Sequence, residues 1–211
     1  MHRYETQDHT TVHHLHHLNS IFTGRGSRIY DVTMVRLTRG LYRRVVEDIA
    51  RLQTEAGKVL DAGTGPGTLA RDIGRQFPHL RVEGIDLSPD MIRLAREHAQ
   101  QEHLADRVQF TTGDIAHLPY PNRSFALVVS TISMHHWEEL EQPLSELYRV
   151  LQPGGRLWIY DFRFIPMRTV KHALARTPFA DTPLERRLVR TGALPFALYQ
   201  RFALHKRVDG E

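Results

Sequence analysis

Apolar residues along this 211-residue chain recur with two different periods. From Tyr30 to Gln53, Val35, Leu37, Leu41, Val45, Val46, Ile49 and Leu52 return at roughly helical steps, which predicts one amphipathic helix. From residue 58 the period changes. Short apolar runs at Val59-Leu60, Arg81–Asp86, Val108–Ile115, Phe125–Ser130 and Arg156–Asp161 predict five strands. Phe125–Ser130 is almost continuously apolar, as a strand covered on both faces requires. Helical stretches lie between the strands. One of them carries the stripe Leu140, Leu144, Leu147, Tyr148 and Leu151. Strands alternating with helices predict an α/β fold with a parallel sheet and helices on both faces. Further on, Phe196, Leu198, Phe202 and Leu204 alternate like a single strand before a charged tail.

The strongest local signal is Val59-Leu60-Asp61-Ala62-Gly63-Thr64-Gly65-Pro66-Gly67. A buried strand ends in a carboxylate, and a glycine turn leads into a helix. Such a turn lets a ligand approach the backbone, as at a nucleotide-cofactor site, but glycine turns occur as often as plain strand–helix connectors. The spacing argues against a phosphate-held ligand. Thr68 stands where a dinucleotide fingerprint places its third glycine, Pro66 removes an amide, and no P-loop lysine follows. Two further strands also end in acids, at Asp86 and at Asp114. Taken singly, Asp86 could close a strand and Asp114 could be a turn residue. Acids at three successive strand ends point instead to a ligand, because open parallel sheets bind outside the carboxyl ends of their strands. Ser88, Pro89 and Asp90 supply an N-cap, a first helical residue and a favourable charge for the next helix.

The segments 59–67, 84–92, 113–130 and 149–161 together resemble the class I S-adenosylmethionine-dependent methyltransferases of the small-molecule type. The resemblance covers about half the chain. It implies a Rossmann-like three-layer sandwich around a mostly parallel sheet of the seven-stranded type. Against that pattern, the C-terminal strand region reads as reduced. The resemblance also implies residue roles. The backbone at Gly63, Thr64, Gly65 and Gly67 would pass along the methionine and ribose parts of the cofactor. Asp61 would sit under the methionyl ammonium, and Asp86 would hold the ribose hydroxyls. Leu87 and Met91 would flank the adenine, Asp114 would accept from its amino group, and Ile115 would pack on the ring. Ser130 would face the methionyl side. Arg28-Ile29-Tyr30-Asp31 is similar to the helix entry of ubiquinone/menaquinone C-methyltransferases, which would bring the Tyr30 hydroxyl to the cofactor carboxylate; an aromatic staple is the plainer alternative. The chain then divides into a helical cap, residues 1–57, and a cofactor-binding domain, residues 58–211.

His135 and His136 follow the fourth strand, where an acceptor would meet the methyl group. A histidine there titrates near neutrality and could take a proton from a hydroxyl, or could simply form the pocket wall. Methyl transfer needs little acid–base help, since the sulfonium donor is already activated and positioning supplies much of the rate. The amino-group motif N/D-P-P-Y/F is replaced by Ser130-Thr131-Ile132-Ser133, which favours oxygen or carbon acceptors. A small-molecule acceptor is therefore expected. RNA methylation and a cofactor-binding protein without activity are the two rivals.

Composition adds limits. There are no cysteines, which removes a disulfide framework and a thiolate nucleophile. His13, His14, His16 and His17 lack the acidic partner of a zinc motif, so no metal is expected. Residues 1–20 are polar, without a signal-peptide core, and read as poorly ordered; a cytoplasmic location follows by default. Residues 162–211 hold ten Lys/Arg against four Asp/Glu. Arg186, Arg187, Arg190 and Arg201, interspersed with Phe196, Tyr199 and Phe202, suggest a weak membrane-surface contact, or else a solvated basic face.

Overall fold

A computed structural model describes residues 25–52, 57–191 and 197–208, with backbone alone for 25–37. Residues 1–20 with their histidine cluster, the Tyr30 side chain and Phe196 lie outside the described side chains. The elements follow the alternation the sequence predicts: α1 (Arg25–Ala50), β1 (Gly57–Ala62), α2 (Thr68–Gln76), β2 (Leu80–Asp86), α3 (Pro89–Gln101), β3 (Val108–Thr112), β4 (Phe125–Thr131), a 3-10 turn (Met134–His136), α4 (Glu141–Val150), β5 (Leu151–Phe162), α5 (Met167–Leu174), β6 (Glu185–Val189) and β7 (Tyr199–His205).

The seven strands form one sheet in the order β3-β2-β1-β4-β5-β7-β6. The first five run parallel, and β7 is antiparallel to both β5 and β6. Alternate residues of each strand supply opposite faces. Val59, Leu127, Val129, Trp158 and Tyr160 pack with α1, α2 and α3. Leu60, Val128, Leu157 and Ile159 pack with α4 and α5. The result is a three-layer α/β sandwich. Strand order reverses between β1 and β4, so the loops after those strands splay apart there and leave a crevice.

The C-terminal region is corrected. It is not reduced to a single strand, because β6 completes the sheet as a five-residue edge strand. Its first four residues are exposed and three of them are charged, which hides it from a hydropathy reading. The basic–aromatic membrane face also needs correcting. Tyr199 and Phe202 are 3% and 0% exposed because β7 is an interior strand. Arg201 points inward, 3.3 Å from Asp48 and over the Trp158 ring. Among the described residues no helix is long and apolar enough to cross a membrane.

The second half of α1 is a core element. Leu41, Val45 and Ile49 are almost fully enclosed. Buried Asp48 accepts from the Tyr160 hydroxyl at 3.0 Å and pairs with Arg201, tying the helix to β5 and β7. Gly40 lets the helix approach closely, since a Cβ there would stand 2.7 Å from the Thr191 carbonyl oxygen.

Candidate functional site

The glycine turn after β1 is built for close approach. Gly63, Gly65 and Gly67 have φ of 77°, 54° and 75°, all in the left-handed region that other residues resist. The amides of Gly63 and Thr64 both donate to the Ile85 carbonyl, which stitches the turn to the end of β2. The three glycines serve different ends. A Cβ on Gly63 would meet Ser133 Oγ at 2.2 Å, and one on Gly67 would meet Phe110 at 2.6 Å. Beside Gly65 there is open space to 4 Å. Gly63 and Gly67 are therefore required by neighbouring protein, while Gly65 faces the crevice.

Asp61 lies under this turn with no exposed surface. Its Oδ2 accepts from Thr64 Oγ1 at 2.7 Å, and its Oδ1 has no partner among the described residues. Burial pushes its pKa up to about 7; the Thr64 hydrogen bond and, least of all, the Ala70 backbone amide work against that rise, and the Asp86 charge adds to it. A buried carboxylate oxygen without a donor is costly unless a cation meets it. An α-ammonium group fits that need, and the open side of Gly65 leaves room for the chain attached to it.

Asp86, at the tip of β2, accepts from Gly65 N at 2.8 Å and from Ser88 N at 2.9 Å. Burial raises its pKa, and these two amides oppose the rise. The carboxylate thus fixes the glycine turn relative to the start of α3, and its remaining lone pairs can accept from a diol. Next to it Leu87 is 73% exposed, an apolar surface unusual for a leucine unless something covers it. Ser88 caps α3 as expected, accepting from Met91 N at 3.4 Å. Met91 itself is 2% exposed, so of the two apolar residues expected to flank a base only Leu87 presents a surface.

Asp114 follows β3. It is exposed and accepts from Ala116 N at 2.9 Å. Gly113 N donates to the Asp86 carbonyl, which sets the Asp114 loop beside Asp86. Ile115 is partly buried against the α4 side of the core. Asp61, Asp86 and Asp114 therefore lie at adjoining strand ends on one rim of the sheet. Ser130 departs from expectation. It is fully buried, its hydroxyl has no partner among the described residues, and by strand alternation it shares the α4/α5 face with Val128, opposite Asp61.

On the other side of the crevice the chain leaves β4 through Ile132, a β-branched residue held at φ 51°. Such backbone strain concentrates at functional sites. The 3-10 turn then presents His135. Its Nδ1 lies 2.9 Å from Oδ1 of Asp161, and its backbone amide donates to Oδ2 at 3.2 Å. Asp161 is fully buried at the end of β5 and also accepts from Phe162 N. His136 packs on His135, ring centroids 3.9 Å apart. Its pKa is lowered first by burial and then by His135, with Asp161 opposing. Phe162 meets His135 edge-on at 5.2 Å and stacks on Phe164, which is 69% exposed. Sequence reasoning gave no role to Asp161. The signal was available, since it is a fourth carboxylate at the end of a parallel strand.

The family profile described as "Methyltransferase domain" matches residues 59–155, from β1 into β5. Residues 59–155 are a methyltransferase domain. The methyltransferase domain is similar to demethylmenaquinone methyltransferase of Deinococcus radiodurans, with 37% identity over 105 residues, 50% of this chain and 43% of that one. The chain spans about half the length of the curated relatives it matches. Among solved structures it is similar to a Methanococcus maripaludis protein assigned as an S-adenosyl-L-methionine-dependent methyltransferase. That match has a TM-score of 0.70 and 20% identity over 100% of this chain and 99% of that one. It is similar as well to the cyclase SpnF, with a TM-score of 0.66 and 19% identity over 78% of this chain and 80% of that one. At such identities the likeness is one of fold.

Proposed function

We propose that the protein transfers the methyl group of S-adenosylmethionine to an oxygen or carbon atom of a small-molecule acceptor. The observation that carries this is Oδ1 of Asp61, buried under the glycine turn with no hydrogen-bond partner among the described residues, in a turn whose Gly65 opens onto free space. When bound, the cofactor supplies an activated methyl on a positive sulfur. The residues of this chain hold and orient. Asp61 meets the ammonium, Asp86 the ribose hydroxyls, Leu87 and Ile115 the base, and Asp114 its amino group.

Acceptor chemistry falls to the far side of the crevice. Asp161 fixes His135 with Nδ1 as the donor, which leaves Nε2 free to accept the proton that the acceptor loses. A buried carboxylate behind an imidazole also stabilises the imidazolium that then forms. Phe162 and the exposed Phe164 give this side an apolar wall. A relative named for a demethylmenaquinone supports a small unsaturated acceptor over a nucleic acid. The likeness to a cyclase supports one further reading, a cofactor-binding protein whose reaction is not methyl transfer.

Calorimetry with S-adenosylhomocysteine, followed by transfer of labelled methyl to a panel of phenols, enols and RNA, tests both readings. Binding with transfer to a small molecule is expected. Binding with no transfer to any acceptor favours the second reading. His135→Ala should lower kcat by about 10²–10⁴-fold while leaving cofactor affinity unchanged.

A further inference from the structure

The loop from Asp114 to Ser124 has no regular structure, yet its backbone groups are not left to solvent. Helix α4 holds them. Glu146 and Arg149, one turn apart, form a two-point pair, with Arg149 Nε and Nη2 each 2.7 Å from a Glu146 oxygen. The pair spends its remaining hydrogen bonds on the loop. Leu118 N donates to Glu146 Oε2 at 2.8 Å, and Arg149 Nη2 donates back to Leu118 O at 3.0 Å. Arg149 Nη1 donates to Tyr120 O at 2.7 Å and to Asn122 Oδ1 at 2.9 Å. One turn earlier, Gln142 Nε2 donates to Ala116 O at 3.1 Å. Hydrogen bonding to Arg149 keeps the Glu146 carboxyl below the usual carboxylate range, so the pair stays charged.

These bonds fall on the segment directly after Asp114 and Ile115. A planar guanidinium fork fixes direction as well as distance, which an ammonium cannot do. Building on the function proposed above, we propose that Glu146 and Arg149 are positioning residues for base recognition. They set the Asp114 loop, and through it the preference for adenine over a base without the exocyclic amino group. Neither side chain needs to touch the cofactor. Ordering of the loop by α4 removes the entropy that binding would otherwise lose.

The test compares S-adenosylhomocysteine with S-inosylhomocysteine, in which a carbonyl replaces the amino group. Wild type, Arg149→Lys, Glu146→Gln and Gln142→Ala would be titrated with both, with circular dichroism as the check on folding. Wild type is expected to favour the adenosyl compound roughly tenfold or more, the worth of a charged hydrogen bond. In Arg149→Lys and Glu146→Gln the preference should fall toward parity, while affinity for the inosyl compound changes little. Gln142→Ala, which loses one exposed bond, should fall in between. An equal loss of affinity for both compounds would mark the pair as merely structural and overturn the proposal, as would an unchanged preference. If wild type binds neither compound, the cofactor reading fails first and this proposal with it.

Discussion

Replacing Asp61 by Asn should stabilise the free protein and weaken its hold on the cofactor, from a single cause. The side chain is fully enclosed, with one oxygen bonded to Thr64 and the other without a hydrogen-bond partner among the described residues. A pKa of about 7 against an ordinary 3.8 corresponds to about 4 kcal/mol held against the ionised form. In the unfolded chain the carboxyl ionises near pH 4, and in the folded chain near pH 7. Between those values the folded state carries the extra proton, so stability falls as pH rises through the window and levels off above it. Asn is neutral throughout, so this part of the slope should vanish. Urea unfolding should show the variant more stable than the parent by about 2–4 kcal/mol at pH 8, with little difference near pH 4. Ligand binding adds a second readout. An ammonium needs the ionised carboxyl, so below pH 7 the binding of S-adenosylhomocysteine must expel the Asp61 proton. Calorimetry in buffers of different ionisation enthalpy should find close to one proton released near pH 5.5 and almost none at pH 8. The Asn variant should release none and bind about 10–100-fold more weakly, the worth of a charged hydrogen bond. A variant less stable than the parent at pH 8, or one that still releases the proton, would refute this account of Asp61.

The glycine turn predicts a contrast. Gly63→Ala forces a Cβ onto Ser133 and should cost about 2–3 kcal/mol or more by thermal unfolding, whereas Gly65→Ala should cost about 1 kcal/mol but impair cofactor binding. The reverse order would show that Gly65, not Gly63, is the structurally packed position. Asp48→Ala removes the buried carboxylate shared by the Tyr160 hydroxyl and the largely buried Arg201, and should cost about 3 kcal/mol, read as a lower urea midpoint. A loss under about 1 kcal/mol would mean that apolar packing alone holds α1 in place.

The cofactor half of the site was legible in the sequence because its determinants are local. A strand, its terminal acid and the turn that follows are consecutive in the chain, so spacing and strand-end rules place Asp61, Gly63, Gly65 and Asp86 on one rim, while their individual roles rest on the family resemblance. Met91 shows the limit of that approach. The resemblance expects it beside the base, and only the packing of the helix shows that it turns inward. Ser130 shows another limit, since the face of a strand on which a residue lies depends on register with β5. The acceptor half was much less legible, because its partners come from distant segments. Asp161 reaches His135 across 26 residues, and Arg201 reaches Asp48 across 153. A charged residue that pairs so far away looks, in the sequence, like any exposed charge, which is why Arg201 read as part of a surface stripe. The same physics explains β6. An edge strand needs only its backbone and one apolar contact to join the sheet, so Glu-Arg-Arg-Leu-Val carries little hydropathy signal and is defined by pairing with β7. Relatives that share the glycine turn can therefore be expected to share cofactor geometry. Acceptor choice can drift with the segments after β4 and β5, where pairing across the fold decides which groups meet.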